Sequence, residues 1–281
     1  MTNPFAKLAP SARALNSIEM VTAQQLNDRN SMEAMIRGLR PKDLGHDLIR
    51  LGSKFDGGYL LPNDLEGIEA CFSPGVADDS NFEFALAERG IRCFMADASV
   101  EKPALEHPLF DFEKKFLGPA TDKNKITLTD WINAKIPKNT GDLILQMDIE
   151  GAEYSTLIST PSDTLKRFRI AVIEFHGVDR LMYPEFSNRW SRVMNKIRQN
   201  FKVAHIHVNN CCPSFTRDGY TFPRVMEFTF LRKDRVALRP NSLQFPHPLD
   251  APNLKDQPDI VLPKCWQTPP RNSFWKKLFR G

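Results

Sequence analysis

The sequence predicts an α/β protein with a Rossmann-like, mostly parallel sheet closed by an antiparallel strand pair. Three observations carry that prediction. Apolar runs of strand length alternate with amphipathic stretches of helical period, the order expected of βαβ units. Two of those runs, Leu143 to Met147 and Arg169 to Phe175, are almost continuously apolar, as strands covered on both faces must be. The last two, Val203 to Val208 and Arg224 to Leu231, alternate in part, which is the pattern of an antiparallel pair.

In chain order, residues 1–45 read as a helical preface. Ile18, Val21, Leu26, Met32, Met35, Ile36 and Leu39 recur at helical spacing until Pro41 ends the helix. Such a segment either covers a pocket or mediates association into a homo-oligomer. Leu48 to Leu61 holds two apolar stretches around Asp56-Gly57-Gly58, a hairpin signal in which Asp56 is a turn residue. Ile68 to Ser73 reads as a strand and Pro74 to Asp79 as a turn. Ser80 to Arg89 then reads as a helix with Phe82, Phe84, Ala85 and Leu86 facing inward, and Ile91 to Ala96 as a second strand ending at Asp97. Phe110 to Leu117 is a third strand, and Leu128 to Ala134 a short helix capped by Thr127 or Thr129. Tyr154 to Phe168 is helical except around Pro161. Pro184 to Phe201 is an amphipathic helix with Phe186, Trp190, Val193, Met194 and Ile197 on one side. The core domain thus spans residues 46–235.

Residues 236–281 form a tail. Pro240, Pro246, Pro248, Pro252, Pro258, Pro263, Pro269 and Pro270 punctuate it, so an extended path on the surface or partial disorder is expected. Its end, Phe274-Trp275-Lys276-Lys277-Leu278-Phe279-Arg280, is basic and aromatic, suited to a peripheral contact with an anionic membrane face or with a partner protein.

Composition narrows the function classes. A net charge of +4 over 281 residues, without a Lys/Arg stripe interleaved with aromatics, argues against a nucleic-acid groove. No run approaches the roughly 18 apolar residues of a membrane span. Five cysteines, an odd number with no leader pattern ahead of them, point to a reducing cytoplasm. Cys71 and Cys93 fall inside strands as core residues, and the adjacent Cys211 and Cys212 lack the spacing of a zinc site.

The chemistry gathers where strands end, because in open α/β sheets the ligand crevice lies outside their carboxyl ends. The first strand-to-helix turn, Ser73 to Asp79, contains only Gly75 where a dinucleotide site would want GxGxxG, and its Asp78 and Asp79 would repel a pyrophosphate. A positively charged cofactor without phosphates suits it better. Gly75, Val76, Asp78 and Ser80 are the candidate contacts there. Asp97, about 22 residues after Gly75 and followed by Ala98, is placed to accept hydrogen bonds from ribose hydroxyls. S-adenosylmethionine meets both conditions. After the central apolar run come Asp148, Glu150 and Glu153, of which Asp148 is the strongest functional candidate. Glu150 and Glu153 also read as solvated or helix-capping groups. Glu174 and His176 end the next strand. His205 and His207 share one strand face and read as structural histidines, one of which could reach a cleft beside Asn209. Glu227, a charge inside an apolar strand, either pairs with a basic side chain or belongs to the acceptor site.

The segments CFSPGVADDSNFE, FMADAS, LILQMDIEGAEY and AVIEFHG, in this order and spacing, resemble the FkbM family of S-adenosylmethionine-dependent methyltransferases. IHVNN and PRVMEFTFLR resemble the closing strands of a subgroup of that family. The likeness covers roughly residues 46 to 235. It implies a class I methyltransferase sheet and methyl transfer to a hydroxyl of a sugar, glycan or other metabolite. It also implies that Asp148 and Glu174, with His176, form a general-base or metal cluster, with magnesium or manganese as the candidate cation and Asp148, His176 and Glu150 as catalytic candidates. The turn departs from the general methyltransferase pattern, with Ser73 where many such enzymes carry an acidic residue, which leaves Ser80 or the main chain around Gly75 to receive the cofactor's amino acid end. A catalytically silent subunit of a glycan-assembly complex is the alternative reading.

Overall fold

The computed structural model describes residues 27–138, 141–240 and 243–269. Helix α1 (Arg29–Arg37) opens it, with Asp28 accepting from the Ser31 amide at 2.8 Å as its N-cap. Met32 and Ile36 turn one side of α1 into the core, as the spacing requires. The expected positions Ile18, Val21 and Leu26 lie outside the described residues. β1 (Leu48–Gly52) and β2 (Gly58–Pro62) form the expected antiparallel hairpin, with Gly52 opposite Gly58 and Asp56 in the loop.

The sheet-forming units follow: β3 (Ile68–Pro74), α2 (Asn81–Ala87), β4 (Arg92–Ala96) and β5 (Phe110–Glu113). The expected strand from Phe110 to Leu117 is broken, its end forming β6 (Phe116–Leu117), which pairs with β7 (Lys125–Ile126) in a separate ribbon. Helix α3 (Leu128–Lys135) is capped by Thr127, whose hydroxyl accepts from Asp130 N. Then come β8 (Asp142–Met147), α4 (Glu153–Ser159), α5 (Ser162–Leu165) and β9 (Phe168–His176), the α4–α5 break falling at Pro161. α6 (Pro184–Asn200), β10 (Phe201–Val208), β11 (Ser214–Arg217), β12 (Tyr220–Pro223) and β13 (Val225–Arg232) complete the series.

Seven strands make the main sheet in the order β10-β13-β9-β8-β3-β4-β5. β3, β4, β5, β8 and β9 pair in parallel, whereas β13 runs antiparallel to both β9 and β10. The chain runs outward from β3 to β5 and then returns to β8, so strand order reverses between β3 and β8. That reversal is where an α/β sheet opens a crevice.

Alternation in the strands supplies both faces. Ala70, Phe72, Leu143, Leu145, Ile173 and Phe175 join one core with α3, α4 and α6, while Cys71, Ile144, Ile170 and Val172 join another with the β1–β2 hairpin and α2. On α2 the inward residues are Phe82, Glu83, Leu86 and Ala87, so Phe84 and Ala85, expected inside, are only half-buried. The C-terminal segment follows a mostly irregular path but is docked by its side chains. Ile260 bridges to Val208, and Leu262 is buried. Trp266 is wholly buried against Trp190, Phe222 and Phe228, its indole N–H donating to Thr221 O at 2.9 Å. The basic aromatic end, Phe274 to Arg280, lies outside the described residues. Among the described residues no helix is long and apolar enough to cross a membrane.

Candidate functional site

The turn after β3 meets the end of β8 at the reversal point. Gly75 has φ +85°, and a Cβ there would stand 1.6 Å from the carbonyl oxygen of Asp148, so only glycine allows the two strand ends to approach this closely. A cleft opens beside them, lined by Asp56, Tyr59, Val76, Asp78, Glu83 and Asp148 among others. Ala77 and Glu150, on the two facing turns, both hold positive φ (42° and 55°) without being glycine, a conformation that persists only when its surroundings enforce it. Asp97 is that enforcement for Ala77. Its carboxylate accepts from Ala77 N at 2.9 Å and from Ser99 N at 2.7 Å, tying the turns after β3 and β4 together.

The other residues expected at the cofactor turn divide. Asp78 is exposed on the cleft wall, Val76 is buried and Ala98 half-buried. Ser80 is turned away, its buried hydroxyl accepting from Leu105 N at 2.8 Å. At the foot of the cleft, Ser73 Oγ lies against both Glu83 Oε1 and Gln146 Oε1, although one hydroxyl carries only one proton. Burial pushes the Glu83 carboxyl up to about 7. The Ser73 hydroxyl donates to one of these two oxygens at a time, its bond to Glu83 working against the rise, and the Gln146 amide donates to Tyr59 Oη at 3.2 Å. Glu83 thus places a carboxyl beside Ser73, where the sequence comparison found the acidic residue missing.

The second part of the site is a row of polar side chains across neighbouring strand ends. His207 faces Glu227 across β10 and β13, Glu227 faces Glu174 across β13 and β9, and Asp148 follows directly on β8. His176, which ends β9, stands among the acids. Its Nε2 lies 3.5 Å from Glu174 Oε1, 3.5 Å from Glu150 Oε2 and 3.9 Å from Asp148 Oδ1. Its Nδ1 lies 3.2 Å from Oε1 of Glu153. Glu153 is fully buried, and the same oxygen accepts from Gly151 N at 2.9 Å. A carboxylate in that position keeps the proton on Nδ1 and leaves the Nε2 lone pair aimed at the acidic floor.

Burial opposes charge on His176, but the hydrogen bond and charge of Glu153, followed by Asp148 and Glu150, raise its pKa above the ordinary 6.5. Desolvation pushes Asp148 up to about 7, against the attraction of His176 and with the help of Glu150 and Glu153. Desolvation with the Asp148 charge holds Glu174 well above the carboxylate range. Asp148 Oδ1 and Glu174 Oε2 are buried without a hydrogen-bond partner. Asp148, Glu174 and His176 each bring one ligand atom to within 4.8 Å of the others, a spacing and donor set that fit a divalent cation.

Sequence reasoning named Glu153 but also read it as a solvated or helix-capping group, and missed Glu83, because each sits in a helix and burial is not written in its identity. It also missed Asn253, which donates to both Glu227 (2.7 Å) and Asp56 (3.0 Å). His205 and His207 pair with Asp250 (2.8 Å) and Asp259 (3.2 Å) of the C-terminal segment, the structural role expected of them. A larger, more open groove at the opposite end of the sheet is bordered by Asp142, Lys166, Arg167 and Arg232, of which Arg232 and Asp142 pair with each other at 2.6 Å.

Residues 71–201 match the family described as the methyltransferase FkbM domain, a stretch from β3 to the start of β10. No curated protein matches the chain. Among solved structures, a chain of a fibrillarin/Nop5p complex aligns at 14% identity and TM-score 0.38, over 69% of this chain and 98% of that one. A chain from work on the conversion of a disulfide bond into a thioacetal group during echinomycin biosynthesis aligns at 14% identity and TM-score 0.31, over 73% and 93%.

Proposed function

From a chain that carries a methyltransferase FkbM domain over residues 71–201, we propose an S-adenosylmethionine-dependent O-methyltransferase acting on a hydroxyl of a sugar, glycan or other metabolite. One observation carries the reading. His176 has one ring nitrogen tied to fully buried Glu153 and the other 3.9 Å from Asp148, which lines the cleft at the strand-order reversal.

The cleft fits the cofactor. Asp78, Asp148 and Glu83 give it an acidic lining that repels phosphates and suits a sulfonium and an ammonium group. Asp97 offers its carboxylate to ribose, Gly75 and Val76 their main chain, Ala98 a half-buried wall, and Glu83 with Ser73 a polar end for the amino acid moiety. S-adenosylmethionine, when bound, supplies an already activated methyl group. The residues of this chain then have two tasks, to hold the acceptor oxygen in line and to remove its proton. His176 Nε2 accepts that proton while Glu153 holds the ring and stabilises the imidazolium. Asp148 and Glu174 accept from neighbouring groups of the acceptor, and Glu150, at the exposed rim, meets its outer part.

Asp148, Glu174 and His176 would equally hold magnesium or manganese, which would lower the pKa of a bound hydroxyl; the orphaned oxygens of Asp148 and Glu174 favour that second reading. The direct test is transfer of labelled methyl from S-adenosylmethionine to a panel of hydroxylated sugars and metabolites. His176→Ala is expected to lower kcat by about 10²–10⁴ while leaving S-adenosylhomocysteine affinity unchanged. Unchanged transfer would remove His176 from the mechanism, and absence of transfer to any acceptor by the unaltered chain would favour a catalytically silent subunit.

A further inference from the structure

Beside the His176 cluster the chain assembles a second set of oxygens, which shares Glu174 with that cluster and adds groups the methyl-transfer reading does not use. Glu174 and Glu227 are direct cross-strand partners on β9 and β13, and both are buried. Like charges in that relation repel unless one carboxyl is protonated or a cation lies between them. A third carboxylate, Asp56 from the tip of the β1–β2 hairpin, brings an oxygen to within 4.8 Å of theirs.

Two further observations point to a missing occupant. Glu174, 4% exposed, leaves Oε2 buried without a partner, and Asn253, 5% exposed, leaves Oδ1 in the same condition. The Asn253 amide already touches two of the three carboxylates through Nδ2. Turning it about its terminal bond puts Oδ1 in the place of Nδ2, facing Asp56 and Glu227 and completing a four-oxygen set. His207, 3.4 Å from Glu227, and His176, 3.5 Å from Glu174, lie at the two ends of the row, and Arg50 acts on Glu227 through its charge without forming an ion pair to Glu174, Glu227 or Asp56 among the described residues.

We propose that Asp56, Glu174, Glu227 and Asn253 Oδ1 bind a divalent metal cation at a site separate from the Asp148 and His176 end of the row. All four donors are oxygens, the preference of magnesium, manganese and calcium over softer metals. The donors come from three separate parts of the chain: the hairpin tip, the sheet and the C-terminal segment. Asp56 N already donates to Asn253 O at 3.3 Å, so hairpin and segment are in register before any metal arrives. The bound cation fastens both over the sheet end and forms a wall of the acceptor side of the cleft. This site does not depend on the methyl-transfer reading, since its signature is metal binding alone.

The test is titration of the full-length chain with Mn²⁺, counting bound ion by electron paramagnetic resonance, for the unaltered chain, Asp56→Asn, the double variant Asp56→Asn/Glu227→Gln and Asp148→Asn. The expected result is one Mn²⁺ equivalent lost in the double variant and kept in Asp148→Asn. Asp56→Asn, a single change at a hairpin tip, should weaken that equivalent at least tenfold. Hydrogen exchange of residues 53–57 and 250–253 should slow with Mn²⁺ in the unaltered chain and not in the double variant. The proposal is overturned if no Mn²⁺ binds below about 1 mM, the weak end of protein sites for such ions. It is equally overturned if Asp148→Asn removes all binding while Asp56→Asn and the double variant remove none, a result that would leave only the His176 cluster as a metal site.

Discussion

Replacing Asp148 by Asn should stabilise this protein and silence it. The Asp148 carboxyl is raised from 3.8 to about 7 by desolvation, with His176 opposing and Glu150 and Glu153 reinforcing the rise. The unfolded chain gives up this proton near pH 4 and the folded chain near pH 7. Folding therefore favours the protonated form, and stability falls as pH rises through that window and stays lowered above it. At 1.36 kcal/mol per pH unit the whole interval corresponds to ~4 kcal/mol. About a quarter of the side chain meets solvent, and the variant also forfeits the attraction to His176, so we expect a net gain of about 1–3 kcal/mol at pH 8. Asparagine has no proton to lose, so the gain should vanish near pH 4. Urea unfolding from pH 4 to pH 8 reads both the size and the trend, while methyl transfer by the same variant should fall about 10²-fold or more. A variant less stable than the parent at pH 8, or a stability gap independent of pH, would refute the electrostatic reasoning. Full activity would remove Asp148 from the site.

Two further outcomes follow from single contacts. Glu153→Gln keeps the size of the side chain but loses the charge that holds His176, so the rising limb of the pH–rate profile should move to lower pH. Unfolding free energy should drop by about 1–3 kcal/mol, the usual cost of weakening hydrogen bonds to a buried charge; an unmoved limb would show that Glu153 only caps α4. Trp266→Ala should cost about 3–5 kcal/mol by denaturant unfolding, because the indole is wholly enclosed by Trp190, Phe222 and Phe228. A loss under ~1 kcal/mol would return the C-terminal segment to the status of a surface tail.

Much of this was legible because the central strands are buried on both faces. Continuous apolar runs ending in acids located β8 and β9, and the single-glycine turn located the close approach of β3 to Asp148. What local pattern could not give was the insertion of β13 between β9 and β10, since that order depends on pairings such as Glu227 with both Glu174 and His207. The histidine-holding role of Glu153 and the burial of Glu83 escaped for a related reason: a glutamate near a helix start looks alike whether it meets water or a histidine. The hairpin of β11 and β12 had its signal in Asp218-Gly219, both at positive φ, but its polar, exposed flank Ser214-Phe215-Thr216-Arg217 hid it. The proline-rich composition of residues 236–269 pointed to a loose surface path, while a few unperiodic anchors, Asn253, Leu262 and Trp266, hold the segment in place.

The central claim, that the cleft beside Gly75 and Asp97 receives S-adenosylmethionine, is tested most directly by calorimetric titration with S-adenosylhomocysteine, on the unaltered chain and on Asp97→Ala. The account predicts binding in the micromolar range that Asp97→Ala weakens by at least about 1.4 kcal/mol, tenfold in Kd. Absence of binding, or equal binding by both chains, would contradict it.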